Sequence, residues 1–453
     1  MKQRAMVTMR EPVHGDIELT REEIALIDTP EFQRLRGVKQ LGTAYLIFPG
    51  ATHTRFEHSI GVLHMTDKMI DGIQKHAVFD PHGCRAVGDE ERRILRIAAL
   101  LHDVTHIPFG HNIEDQTGLL PRHDRPERFL AMLGDSTELG RTLKRIGIQD
   151  EVLGVLCGDD EETPSFWKQL LSDTIDADLL DYLKRDAYYT GLDLHYDNRV
   201  LGYFKVDKPS ERLYVDCEKE GMLRESIMSE LLRVLEARYH FSERVYYHHA
   251  KVAAGALLAR MVELALRSGA ITALDLQHAT DESLIAMLER ADLGDARWSE
   301  KMGRFVARFR RRSLPKRVLV LPFYLNESNQ DELIATYFEP GNPNRRFAWE
   351  AELESQARSA FGKDLDVIMY CPARAMQLKE ARTLVNLPGS GARIVPLSDF
   401  AALVPRLRDL QDSYPRLWKL YVFCSEEDRP LRRRLQEMCL DALPAGCVNA
   451  LRI

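Results

Sequence analysis

The sequence predicts a mainly helical protein that ends in a smaller α/β unit. Three observations carry this reading. Apolar residues recur at helical spacing through most of residues 20–265. After about residue 315 they gather instead into short runs of strand length. A basic segment, Arg310–Arg312 with Lys316–Arg317, joins the two regions. The expected division is 1–315 for the helical part with its helical extension and 316–453 for the α/β part, and a chain of 453 residues is long enough for both.

The elements follow in order. Thr20 with Glu23 has the spacing of a capping box, and Pro30 after Thr29 suits a first helical turn. His58, Val62, Met65 and Met69 share one helical face, as do Ile94, Ile97, Ala98 and Leu101. A long helical stretch is expected over Ser229–Ser268, with a break near His240–Ser242. Beyond 315, strands are expected at Arg317–Leu325, Leu365–Cys371, Ala392–Leu397 and Leu417–Cys424, with helices near 346–360, 400–412 and 429–441. The loop Glu339–Arg345 reads as an exposed turn.

Composition narrows the function. The formal net charge is -7, so no bulk basic field exists to hold a long polynucleotide, and an anionic substrate must meet a local cluster of cations. The seven cysteines are scattered and form no CxxC pair, which predicts reduced, mostly buried thiols in a cytoplasmic protein. The N-terminus lacks an apolar signal core, and the strongest apolar run, Val318–Leu325, is too short to cross a bilayer. No membrane role is expected.

The chemistry centres on His102-Asp103, at the end of an apolar helical run. Adjacent imidazole and carboxylate at a helix end can reach one divalent ion together. His58, in Arg55-Phe-Glu-His58, and Asp178, in Asp178-Leu-Leu-Asp-Tyr182, are the natural additional ligands. Two histidines and two carboxylates leave positions open for water and phosphate oxygens, which suits Mn, Fe, Mg or Zn. Downstream lie His106, His111, Glu114 and His123. A histidine oriented by a carboxylate can protonate the leaving oxygen of a phosphoester. Asp178, Tyr182 and Asp186 fall four and four apart on one helical face; Tyr182 reads equally as a sugar or base contact and as a core aromatic. Arg244, four before His248, reads equally as a phosphate grip and as half of a solvated surface pair. Neither GxGxxG nor GxxxxGK[ST] occurs, so metal and side chains must hold the phosphates.

From about 10 to about 265 the chain strongly resembles the SAM-and-HD-domain dNTP triphosphohydrolases and their bacterial dNTPase relatives. The resemblance is carried by Glu11-Pro-Val-His-Gly-Asp-Ile-Glu-Leu19, Ile27-Asp-Thr-Pro-Glu-Phe-Gln-Arg-Leu-Arg36, Lys39-Gln40-Leu41-Gly42, Phe48-Pro-Gly-Ala-Thr-His-Thr-Arg55 and the His58, His102 and Asp178 segments. It implies a helical HD core and hydrolysis of a dNTP to deoxynucleoside and triphosphate. It further implies that His58, His102, Asp103 and Asp178 hold the metal. Arg55, His106, His111, Glu114 and His123 would form the phosphate and proton-transfer group. Gln40, Leu41, Tyr182 and Asp186 would wall the sugar, and Arg244 would grip phosphate. Asp28, Gln33 and Arg36 match positions that bind an activating nucleotide at a subunit interface, and a homo-oligomer, dimer or tetramer, is implied.

The sequence also departs from the family. Leu179 stands in place of a Lys, Glu114 in place of an Asp and Asp16 in place of a His, and Val7 and Thr8 occupy the strand where a basic residue is expected. Two other readings of the same residues are an HD-type phosphodiesterase or nuclease, acting on oligonucleotides or a nucleotide second messenger, and a non-catalytic nucleotide sensor.

Overall fold

The structure is a computed structural model that describes residues 6–114, 120–158, 163–338, 343–371, 381–388, 394–400 and 404–453. It is mainly helical, with small sheets at the N-terminus, beside the helical part and in the C-terminal part.

The chain opens with an antiparallel hairpin, Val7–Glu11 against Gly15–Leu19. The capping box expected at Thr20 is present: Glu23 N–H donates to the Thr20 hydroxyl, and the Glu23 carboxylate accepts from Thr20 N. The central helix runs from Arg55 to Phe79 and packs against Asp89–Leu101 and Ala177–Thr190. Glu57 accepts from Thr54 N, which fixes the start of the central helix just ahead of Arg55 and His58. The helix Asp89–Leu101 ends where His102-Asp103 begins. Asp176 caps Ala177–Thr190 by accepting from Leu179 N, and so sets the position of Asp178 in the first turn. His58, Val62, Met65 and Met69 are all buried, as their shared face predicts.

The helical stretch expected over Ser229–Ser268 with a break near His240–Ser242 is two helices, Glu225–Phe241 and His249–Ser268, and the break is a π-helical turn at Ser242–Tyr246. Short strands interrupt the region read as mostly helix: Phe204–Val206, Leu213–Asp216, Glu218–Lys219 and Met222–Leu223. They are too short to display a period of two.

In the C-terminal part the strand Lys419–Cys424 lies between Lys316–Pro322 and Val367–Tyr370, antiparallel to both. Its side chains alternate. Tyr421 and Phe423, with Val320, Ile368 and Tyr370, pack toward the His249–Ser268 helix, whereas Leu420 and Val422 join a separate apolar cluster on the other face. The run expected as a strand to Leu325 stops at Pro322, whose missing N–H cannot extend the ladder, and a helix Phe323–Tyr337 follows. Residues 339–342 of the expected turn lie outside the described residues, and from Pro343 the chain is helical to Phe361.

One segment crosses back. Leu384–Asn386 pairs in parallel with Leu213–Asp216, and Ile394–Pro396 pairs with Leu384–Asn386. The chain beyond 316 therefore serves both its own sheet and the helical part. Just before this strand, Thr383 Oγ1 accepts from Ile175 N and Arg382 N donates to Thr174 Oγ1, both at 3.0 Å, so the segment braces the loop that leads into Asp178.

The turn from His106 to His111 needs support, because Phe109 has φ 57° and Gly110 φ 46°. Asp281, fully buried at the start of a later helix, supplies it. One carboxylate oxygen accepts from Phe109 N at 2.8 Å, and the other from Lys39 N at 3.0 Å. All seven cysteines are free thiols, five of them buried, and among the described residues no helix is long and apolar enough to cross a membrane. Asp281→Ala leaves two buried donors unpaired and should cost about 3 kcal/mol of unfolding free energy in a denaturant titration. Asp281→Asn, which keeps one acceptor, should cost less. A loss below about 1 kcal/mol for the alanine variant would show that the turn does not depend on this carboxylate.

Candidate active site

Three helices deliver His58, His102, Asp103 and Asp178 to one point. His58 Nε2 lies 2.9 Å from Asp178 Oδ1 and 3.6 Å from Asp103 Oδ2. His102 Nε2 lies 3.5 Å from Asp103 Oδ1 and 3.7 Å from Asp178 Oδ1. The two rings meet edge to face with centroids 5.2 Å apart. Ligand atoms of His58, His102 and Asp103 all fall within 4.8 Å of one another.

Each imidazole is fixed from behind. His102 Nδ1 bonds Ala99 O at 2.8 Å, and His58 Nδ1 bonds Asp181 Oδ2 at 2.7 Å. Both rings therefore turn Nε2 toward the shared point, the arrangement that suits a metal-ligating histidine. His102 Nε2 is buried and has no hydrogen-bond partner there. Burial works to lower the pKa of His58, yet hydrogen bonds to Asp178 and Asp181 outweigh it and lift the value to about 10. The cluster thus favours positive charge at its centre. An orphaned imidazole nitrogen, carboxylates on two sides and that electrostatic preference fit a divalent cation.

Asp181 is the residue that spacing alone does not single out. It is fully buried and accepts from His14 Nε2 at 2.6 Å, from His58, and from Arg185 at 2.9 and 3.0 Å. Arg185 in turn binds Glu11. The N-terminal hairpin region is so tied to His58 through Asp181. Gly61 makes room for this arrangement, since a Cβ there would stand 2.0 Å from Asp181 Oδ1 and 2.3 Å from Arg185 Nη2. The stretch Glu11–Leu19 contains His14, but nothing in one dimension signals that His14 and Gly61 converge on Asp181.

Arg55, His106, His111, Glu114 and His123 gather next to this centre. Arg55 is buried and donates to Asp103 Oδ2 at 2.5 Å. Burial raises the Asp103 carboxyl, but Arg55, His102 and His106 hold it well below the usual range. His106 stacks on His123 with centroids 3.6 Å apart, and His111 meets both edge-on at 5.1 Å. Glu114 Oε2 lies 2.9 Å from His123 Nδ1 and 3.0 Å from His106 Nδ1. Glu114 is therefore behind the histidines and orients them, despite standing one methylene longer than an Asp. Burial and the neighbouring Arg55 push His106 down to about 4, which leaves it neutral near pH 7.

A cavity of about 380 Å³ opens over both groups. Gln40, Leu41, Arg55, His111, His123 and Tyr182 line it, as does Asp178, whose side chain is 36% exposed. Two expected contacts are not in its wall. Asp186 is fully buried behind Tyr246, where it bonds His53 Nε2 at 2.7 Å and the Tyr246 hydroxyl at 3.2 Å. Arg244 is exposed and points away, because the π-helical turn shifts the register of side chains after Phe241. The cationic side chains that do line the cavity from this region are Arg238 and Lys251. The signal for Arg238 was available only with the helix rotation known. Leu179 is buried in the core and contributes no charge. Asp28 and Arg36 are exposed and lie outside the cavity; Arg36 Nε donates to Gln33 Oε1 at 2.9 Å and stacks on Phe56.

Comparison with known proteins agrees with this geometry. Residues 55–183 match the HD domain and residues 218–443 the HD associated region. The chain is 36% identical over 261 residues to uncharacterized protein YwfO of Bacillus subtilis (strain 168), covering 56% of this chain and 55% of that protein. It is 26% identical over 434 residues to uncharacterized protein MJ1154 of Methanocaldococcus jannaschii, covering 93% and 80%. It is 29% identical over 273 residues to the deoxynucleoside triphosphate triphosphohydrolase SAMHD1 of Homo sapiens, covering 54% and 42%. The chain thus spans about half the length of YwfO and less than half of human SAMHD1.

Asp181→Asn removes the charge that sets the His58 tautomer. It should lower the affinity of the purified protein for manganese by about ten- to a hundredfold, read by calorimetric titration of the metal. An unchanged affinity would show that His58 needs no such support.

Proposed function

We propose that this chain, an HD-domain protein with homology to the SAMHD1 enzymes, is a metal-dependent phosphohydrolase that converts a deoxynucleoside triphosphate to deoxynucleoside and triphosphate. The single observation that carries the reading is the convergence of His58, His102, Asp103 and Asp178 beneath a cavity lined by histidines and arginine. The activity named for the SAMHD1 relatives supplies the substrate class. When bound, a divalent ion supplies Lewis acidity at a phosphoryl oxygen and an activated water.

The chain's own residues divide the remaining work. Arg55 holds Asp103 in place and brings a buried positive charge to the phosphate end. His123, whose Nδ1 is held by Glu114, keeps Nε2 for the leaving oxygen of the sugar and can deliver a proton there. His106, neutral and stacked beneath it, holds that ring flat. His111 closes the same corner and contacts phosphate. Gln40, Leu41 and Tyr182 form the sugar wall; close packing there rejects an added hydroxyl. Arg238 takes the phosphate-gripping role expected of Arg244. Manganese is the ion of choice, a homo-oligomer the expected assembly, and a nucleotide held at Asp28, Gln33 and Arg36 would act as an effector because that surface lies outside the cavity.

The test is product analysis. Manganese-loaded protein should release intact triphosphate from at least one dNTP, and His102→Ala with Asp103→Ala should reduce turnover by at least about a thousandfold. Release of pyrophosphate or orthophosphate, or faster cleavage of single-stranded DNA than of any dNTP, would replace this reading with the phosphodiesterase or nuclease one.

A further inference from the structure

The structure places one side chain from the C-terminal part in the wall of the cavity. We propose that Tyr414 is a positioning residue that fixes Arg238 for a triphosphate, so that the C-terminal part completes the active site; this rests on the reading that the cavity takes a triphosphate. Tyr414 opens a short 3-10 turn, Tyr414–Leu417, directly after the helix Pro405–Ser413. It is 4% exposed and shares the cavity wall with Asp178, Tyr182, Arg238 and Ser242.

Its hydroxyl lies 2.9 Å from Ser242 Oγ, and Arg238, one turn before Ser242, shares the cavity wall and acts on it electrostatically. Its ring meets Tyr239 edge-on at 5.4 Å, and Tyr247 and Leu417 complete the same apolar cluster. The π-helical turn is what brings Ser242 to this point, since Ser242 begins it. Among the described residues no carboxylate is in ion-pair contact with Arg238; Asp176 acts on it only at longer range. A guanidinium oriented by a neutral hydroxyl keeps its full charge for an incoming anion, whereas one paired with a carboxylate would not. Arg406 and Glu236, bonded at 2.6 Å, join the helix that leads into Tyr414 to the helix that carries Arg238.

The experiment is a calorimetric titration of the manganese-loaded full chain with inorganic triphosphate, for the wild type, Tyr414→Phe, Arg238→Lys and the double variant. Tyr414→Phe should weaken binding about tenfold with the melting temperature nearly unchanged, the loss expected when a polar group that orients a charged side chain is removed. The double variant should bind no worse than Arg238→Lys alone, because the hydroxyl acts through that side chain. Should Tyr414→Phe fail to fold, Ser242→Ala gives a second reading, with weakened binding again expected. Wild-type affinity in Tyr414→Phe, additive losses in the double variant, or no triphosphate binding by the wild type would each overturn the proposal. Triphosphate binding without cleavage of any dNTP would sink the substrate reading alone.

Discussion

The carboxylate of Asp181 sits where water does not reach, and it stays charged there because Arg185, His14 and His58 all bond to it. Burial would raise its pKa; the guanidinium and the two imidazoles hold it well below the usual range. A buried charge compensated this fully is costly to disturb from any side. Removing one donor leaves the others with an unbalanced ion. The contact joins the N-terminal hairpin region, the central helix and the Ala177–Thr190 helix, and it sets which nitrogen His58 offers to the site. The positions of His102, Asp103 and Asp178 matter chemically only because His58 is already aimed at them.

Much of this was legible in the sequence. His58, His102, Asp103 and Asp178 were found because metal chemistry restricts residue type and because helix ends and faces are visible as spacing. The caps at Thr20 and the buried face of the central helix are local features, and local features survive reading in one dimension. What escaped depends on rotation or on distance. Arg244 and Arg238 differ by less than two turns, and only the π-helical turn decides which of them faces the cavity. Asp186 follows the helical spacing from Asp178 faithfully, yet Tyr246 from another helix covers it. Asp281 and Asp181 act through partners far away in sequence, Phe109 in one case and His14 in the other, and no periodicity records such pairs.

The histidine cluster shows how the same residue type is given different tasks by its surroundings. His58 is drawn toward the charged form by two carboxylates, while His106 is kept neutral by burial and Arg55. His123 shares Glu114 with His106, and both line the cavity, His123 being the more exposed of the two. Three environments are thus separated within a small volume, although the sequence presents all of them as histidines near an acid.

The strand Leu384–Asn386, inserted beside Leu213–Asp216, has a bearing on how the protein is made. During synthesis the HD helices emerge long before residue 384, so the edge of the earlier strand must wait, unpaired, while well over a hundred further residues are added. Until then Ile175 N–H also lacks its acceptor, Thr383 Oγ1, and the approach to Asp178 is unsupported. A nascent chain would thus acquire its helical core before the approach to Asp178 is braced, so the last part of the cavity wall to be secured is one that depends on the end of the chain.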